Sequence, residues 1–142
     1  MPEEGSLRST IGCVGPEQVR RRAVRCGLDL LRALEACNEE LAARGSAPLS
    51  ARVGVAAGNL VQGTMGSSAR LEYTVIGDVV NLAARLEGKA TPGHVLVTTD
   101  VWASFPSAPR GCIVAGRSII MVKGKAQAID VVELAPDGDE PA

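Results

Sequence analysis

Aromatic side chains are almost missing from this 142-residue chain: one Trp, one Tyr and one Phe, 2% of the residues. So few rings leave the core to aliphatic side chains, and they exclude a protein that grips single-stranded nucleic acid by stacking bases on aromatics. Histidine is represented by His94 alone, and the four cysteines, Cys13, Cys26, Cys37 and Cys112, stand far apart with no CxxC. Structural zinc needs clustered ligands, so these spacings argue against it, and they favour reduced thiols over a disulfide framework. An excess of one charge is missing too: 15 Lys and Arg against 16 Asp and Glu give a net charge of -1. A nucleic-acid binder held by bulk charge shows a basic excess. No apolar run approaches the roughly 18 residues that span a membrane. The opening MPEEGSLRST lacks the basic-then-apolar order of a signal peptide. These absences together point to a cytoplasmic chain without a membrane segment.

What is present is a hydrophobic content of 46%, enough for one domain, with 16 Gly and 8 Pro marking turns. Residues 1–15 have no periodicity and read as a flexible lead-in. From Pro16 a helix is expected to Arg44, on a stripe of Val19, Ala23, Leu30, Leu34, Cys37 and Leu41, with Gly45 and Pro48 ending it. Arg20, Arg21, Arg22 and Arg25 read as its solvated face. Residues 51–65 predict two short strands folded about Gly58-Asn59, a dipeptide suited to a tight hairpin, with Gly63 and Gly66 as close approaches or turns. Residues 70–76 lead to Gly77. Asp78 is placed to cap a helix carrying Val79, Leu82, Ala83 and Leu86 on one side and Asn81 and Arg85 on another. His94–Thr98 reads as a buried strand and Asp100–Phe105 as a short helix, with Trp102 and Phe105 anchoring a small core. Arg117–Val122 and Ala128–Leu134 read as strands joined about Lys123-Gly124-Lys125, followed by a loose acidic tail over 136–142. The sum is an α+β arrangement whose sheet begins late, after a helix with no strand before it.

Generic phosphate-loop and nucleophile-elbow motifs are missing. The informative stretch is EYTVIGDVVNLAARLE, Glu72–Glu87. It resembles the class III nucleotidyl cyclases, the adenylate and guanylate cyclase catalytic domain family. ARVGVAAGNLVQGTMGS before it is similar to that family's R-[IV]-G-[IV]-x-x-G element, and Lys123-Gly124-Lys125 to its V-K-G-K. The three motifs occur in family order, so the resemblance covers about 16–135.

The resemblance implies a ferredoxin-like βαββαβ-derived fold and an intramolecular phosphoryl transfer. In it the ribose 3′ oxygen attacks the α-phosphate of ATP, giving cyclic AMP and pyrophosphate. It assigns Asn81 to orient the ribose, Arg85 to neutralise charge near the α-phosphate, Lys123 to the terminal phosphates and Thr74 to base selection. Thr74 favours ATP over GTP. The chemistry suits these types, because a polyanion gaining charge needs fixed cations. The same resemblance expects a first strand, helix and hairpin bearing two aspartates that hold Mg or Mn, and residues 1–15 contain no Asp. No metal ligand is therefore assigned in this chain. The expectation is a partial adenylate cyclase domain, inactive alone, whose metal site comes from a homo- or hetero-dimeric cyclase partner. The competing reading is a non-catalytic nucleotide- or partner-binding module, or a gene fragment.

Overall fold

The computed structural model describes residues 17–59, 61–67, 70–121 and 127–137. The chain begins with α1 (Glu17–Ala43), followed by β1 (Val53–Val55). Strands β2 (Val61–Ser67) and β3 (Arg70–Ile76) come next, then α2 (Asp78–Lys89). The order closes with β4 (Val95–Thr98), α3 (Thr99–Trp102), β5 (Cys112–Met121) and β6 (Ala128–Pro136). Four strands form one sheet in the order β1-β4-β6-β5, and β2 and β3 pair separately as an antiparallel hairpin.

The helix over 17–43 agrees with expectation, but its buried face does not. Val24, Gly27, Leu28 and Leu31 are buried, whereas Leu30 is 48% exposed and Cys37 is exposed. Gly27 explains the rotation. A Cβ there would stand 3.0 Å from Val53 Cγ1 and 3.4 Å from Val95 Cγ2. The helix therefore lands on the sheet through a residue that carries no apolar signal. The helix stops as expected: Gly45 takes φ 74, its N–H donates to Ala42 O, and Ser46 N–H donates to Leu41 O at 2.8 Å. That is the glycine-based C-cap that satisfies the last free carbonyls. Of the early arginines, Arg21 is not simply solvated, because it donates to the Ser104 carbonyl at 2.9 Å and ties α1 to the turn after α3.

The hairpin expected about Gly58-Asn59 is not formed. β1 pairs in parallel with β4, Val53 opposite Val95 and Val55 opposite Val97, and the observed hairpin is β2 with β3. A type I′ turn needs positive φ at both central residues, and neither Gly58 nor Asn59 has it. Gly63 has open space around it, while Gly66, at φ 134, holds a backbone conformation that favours glycine.

β4 is buried along its whole length and is covered on both faces, as a run with no polar alternation should be. Val95 and Val97 join Val132 and Leu134 of β6 under α1, with Val24, Leu28, Leu31 and Val101. Leu96 turns the other way with Val131, Ile120, Leu86 and Ala90 under α2. The short helix α3 begins one residue earlier than expected and ends at Trp102. Trp102 and Phe105 do pack on the α1-side core, their ring centroids 5.5 Å apart. β5 starts at Cys112, earlier than expected, because a bulge between Val114 and Gly116 lets it continue along β6.

Candidate functional site

The site predicted from sequence centres on α2, and two glycines seat that helix. Gly77 occupies the cap position with φ 156 and ψ 162, a region open in practice only to glycine. β3 therefore turns into α2 through a single residue. The expectation that Asp78 caps the helix is corrected: Gly77 is the cap, and Asp78 is the first helical residue. A carboxylate in the first turn is still favoured by the partial positive charge of the helix N-terminus. The second glycine is Gly54 in β1. A Cβ on it would stand 2.5 Å from Glu87 N and 2.6 Å from Ala83 O, so α2 lies directly on the β1 backbone. A Cβ on Gly58 would likewise stand 3.2 Å from Val79 Cβ.

Seated this way, α2 buries Leu86 and packs Leu82 on the same core. Asn81 is exposed and Arg85 is half-buried. Four residues apart on a helix, they rise about 6 Å and share a face. Asp78 begins the same stripe and Lys89 ends it. Thr74 lies on β3, opposite Gly63 and three residues before the turn into α2. Lys123 falls outside the described residues, in the connection between β5 and β6, whose pairing reaches Met121 opposite Ala128. The structure thus brings Asn81 and Arg85 together and puts Thr74 on the strand that feeds their helix.

The opposite end of α2 is stitched by charge. Arg52 and Glu87 approach to 3.8 Å. Before β4, His94 Nδ1 meets Glu133 Oε1 at 2.5 Å, and Thr91 N–H donates to the same oxygen. Burial alone would raise the Glu133 carboxyl, but the hydrogen bonds from Thr91 and His94 outweigh it and hold Glu133 below the usual carboxylate range. His94 is a partner that ties β4 to β6, consistent with its reading as a strand-edge residue. Cys112 sits near Arg32, and burial pushes its thiol up more strongly than Arg32 draws it down. A raised thiol is a poor nucleophile. Cys26, Cys37 and Cys112 are free thiols.

Among the described residues no three His, Cys, Asp or Glu side chains form a metal-binding group. Those residues do not fit a metal centre. Sequence reasoning missed Gly54. Its signal was present, a glycine inside the strand-like RVGV, but the close approach it permits depends on where α2 packs.

The whole sequence, compared with known proteins, matches the adenylate and guanylate cyclase catalytic domain over residues 10–133. It is 44% identical over 118 residues to adenylate cyclase 1 of Rhizobium meliloti, covering 79% of this chain and 17% of that protein. It is 30% identical over 118 residues to an adenylate cyclase of Anabaena cylindrica, covering 79% of this chain and 24% of that one. Among solved structures, the guanylyl cyclase Cya2 superposes with a TM-score of 0.73 at 28% identity, over 87% of this chain and 61% of that chain. The adenylyl cyclase CyaB from P. aeruginosa shares the fold, with a TM-score of 0.75 at 24% identity, over 90% of this chain and 64% of that one. The class defined by this α+β fold is thus the cyclase catalytic domain. The chain belongs to the adenylate and guanylate cyclase catalytic domain family. It spans less than a quarter of the length of these two curated relatives and under two thirds of these solved chains.

Proposed function

We propose that this chain supplies the substrate half-site of an adenylate cyclase. The site would convert ATP to cyclic AMP and pyrophosphate in a cytoplasmic signalling protein. The observation that carries the reading is the pair Asn81 and Arg85 on one accessible face of α2, within a sequence that belongs to the cyclase family. Asn81 offers an amide that can donate to and accept from a ribose. Arg85 offers a planar guanidinium that matches phosphate oxygens in pairs. In the reading, Arg85 offsets the charge that grows as the 3′ oxygen attacks the α-phosphate. Lys123 meets the terminal phosphates and Thr74 contributes to the choice of adenine. Identity to relatives named adenylate cyclases favours ATP over GTP, and a guanylyl cyclase shares the fold.

Metal-bearing aspartates belong, in this reading, to a cyclase partner. That partner completes the site across a dimer cleft and brings Mg or Mn with it. Val61 and Ile76, directly paired at the base of the β2–β3 hairpin, are 64% and 50% exposed, an apolar pair suited to burial by such a partner. The first test is product formation. The chain with ATP and Mg²⁺ or Mn²⁺ is expected to yield no cyclic AMP above a no-enzyme control. Mixing with a cyclase domain that keeps its aspartates but lacks its own Asn and Arg is expected to yield cyclic AMP from ATP in preference to cyclic GMP from GTP. Cyclic AMP from the chain alone overturns the half-site reading, and no product from the mixture overturns the assigned activity.

A further inference from the structure

The stripe that carries Asn81 and Arg85 does not end at Arg85. One turn further along α2, in its last turn, stands Lys89. From Asn81 to Arg85 to Lys89 each step is about 40° round the helix and about 6 Å along it, so the three share one side. Lys89 is exposed and Arg85 half-buried. The acid nearest to Lys89 in sequence, Glu87, lies about 160° round the helix from both cations. Glu87 is engaged on that other side, 3.8 Å from Arg52.

The stripe also has a direction. In the substrate half-site proposed above, Thr74 on the strand that enters α2 meets the base, Asn81 the ribose and Arg85 the α-phosphate. That order runs from the N-terminal to the C-terminal end of α2. The covalent order of ATP continues in the same sense, from the α-phosphate to the β- and γ-phosphates. The next side chain on the stripe is a lysine, an ammonium with three donors on a flexible four-carbon stem.

We propose, resting on that half-site reading, that Lys89 is a further substrate-binding residue: it holds the β- and γ-phosphates of ATP and the pyrophosphate they become. In the reaction the 3′ oxygen bonds to the α-phosphorus, and the bond from that phosphorus to the bridging oxygen of the β-phosphate breaks. The bridging oxygen keeps the electron pair, and the 3′-hydroxyl proton passes to water. Negative charge thus moves onto the group that Lys89 meets, where a fixed cation has most effect. Lys89 shares these phosphates with Lys123, so loss of either lysine leaves one cation on them. A lysine in a last helical turn also has a plainer use, because the negative end of the helix favours it. That use predicts no effect on ligands, which separates the two.

The test uses the full chain mixed with a saturating amount of a cyclase domain that keeps its aspartates and lacks its own Asn and Arg. Cyclic AMP is the readout, with pyrophosphate and AMP as inhibitors. Pyrophosphate carries only the phosphates assigned to Lys89, and AMP only the base, ribose and α-phosphate. Lys89→Ala is expected to raise the KM for ATP and the pyrophosphate concentration that halves the rate, each about tenfold, the scale of one charge-assisted contact. Inhibition by AMP should stay as in the parent. Lys89→Glu is expected to exceed that loss, and Lys89→Arg to remain within a few-fold of the parent. Melts of the three variants should match the parent, since the side chain is exposed. An active parent whose pyrophosphate inhibition ignores Lys89→Ala and Lys89→Glu overturns the assignment and leaves the half-site standing. So does a loss that falls equally on AMP and pyrophosphate, because it reports the whole site. A parent mixture that makes no cyclic AMP overturns the half-site, and Lys89 with it.

Discussion

Gly54 and Glu87 meet backbone to backbone: a methyl group on Gly54 would stand 2.5 Å from the Glu87 nitrogen. Real Cβ atoms do not come so close, so Gly54→Ala must push α2 off β1. Overpacking of this kind costs about 1–3 kcal/mol. The midpoint of thermal or urea unfolding should fall accordingly, with far-UV circular dichroism as the readout. An unchanged midpoint would mean that α2 can shift outward at little cost.

Gly77 is constrained in a different way. Its φ of 156 and ψ of 162 belong to glycine whatever space surrounds it. Gly77→Ala is expected to lose about 1–3 kcal/mol by backbone strain. The measurement is equilibrium unfolding of the variant beside Gly54→Ala. Because the strain is local to the β3–α2 turn, it should also disorder the first turn of α2, read as faster amide exchange at Val80 and Asn81.

The His94–Glu133 contact makes stability depend on acid. Glu133 is held below its usual range in the folded chain, so the unfolded chain takes up a proton there first as pH falls. Its contribution is complete above the ordinary carboxylate value of about 4.3 and is lost as pH falls through the lower folded value. Glu133→Gln should therefore cost about 1 kcal/mol near neutral pH, and less as the pH drops, flattening the acid limb of the stability curve. Urea midpoints across that pH span check the sign: a variant equally destabilised at every pH would contradict it.

Asn81 and Arg85 should behave unlike those three positions. Asn81 is exposed and neither side chain belongs to a core cluster. Asn81→Ala and Arg85→Ala are expected to change stability by no more than about 0.5 kcal/mol. Matching melts for parent and variants would show that any loss of cyclic nucleotide formation arises at the site. A large drop in stability would assign the residues to the fold instead.

The sequence made some of this legible and hid the rest for physical reasons. β4 could be read because a run buried on both faces has no alternation to confuse it. The pair Asn81 and Arg85 could be read because a spacing of four fixes a shared helix face. β1 was misread because Gly58-Asn59 imitates a hairpin turn, while its true partner, β4, lies some 40 residues away in parallel. Parallel pairing leaves no local mark. The packed face of α1 was misplaced because it includes Gly27, which carries no apolar signal yet leaves no room for a Cβ beside Val53, and because the exposed stripe through Leu30 and Cys37 carries the stronger apolar pattern. Gly54 matters only once α2 lies across it, a relation set by tertiary packing. Thr74 could be placed on a strand from its neighbours, whereas Lys123 rests on its motif alone, outside the described residues.

The central claim is that Asn81 and Arg85 serve a nucleotide held between two chains. The direct measurement is complementation: the chain mixed with a cyclase domain that keeps its metal aspartates and lacks its own Asn and Arg, with cyclic AMP formed from ATP followed over time. Cyclic AMP production that appears on mixing and falls by roughly a hundredfold or more with Arg85→Ala, the scale of losing one fixed transition-state contact, is the predicted result. Equal production with Arg85 and with Ala in its place would contradict the account.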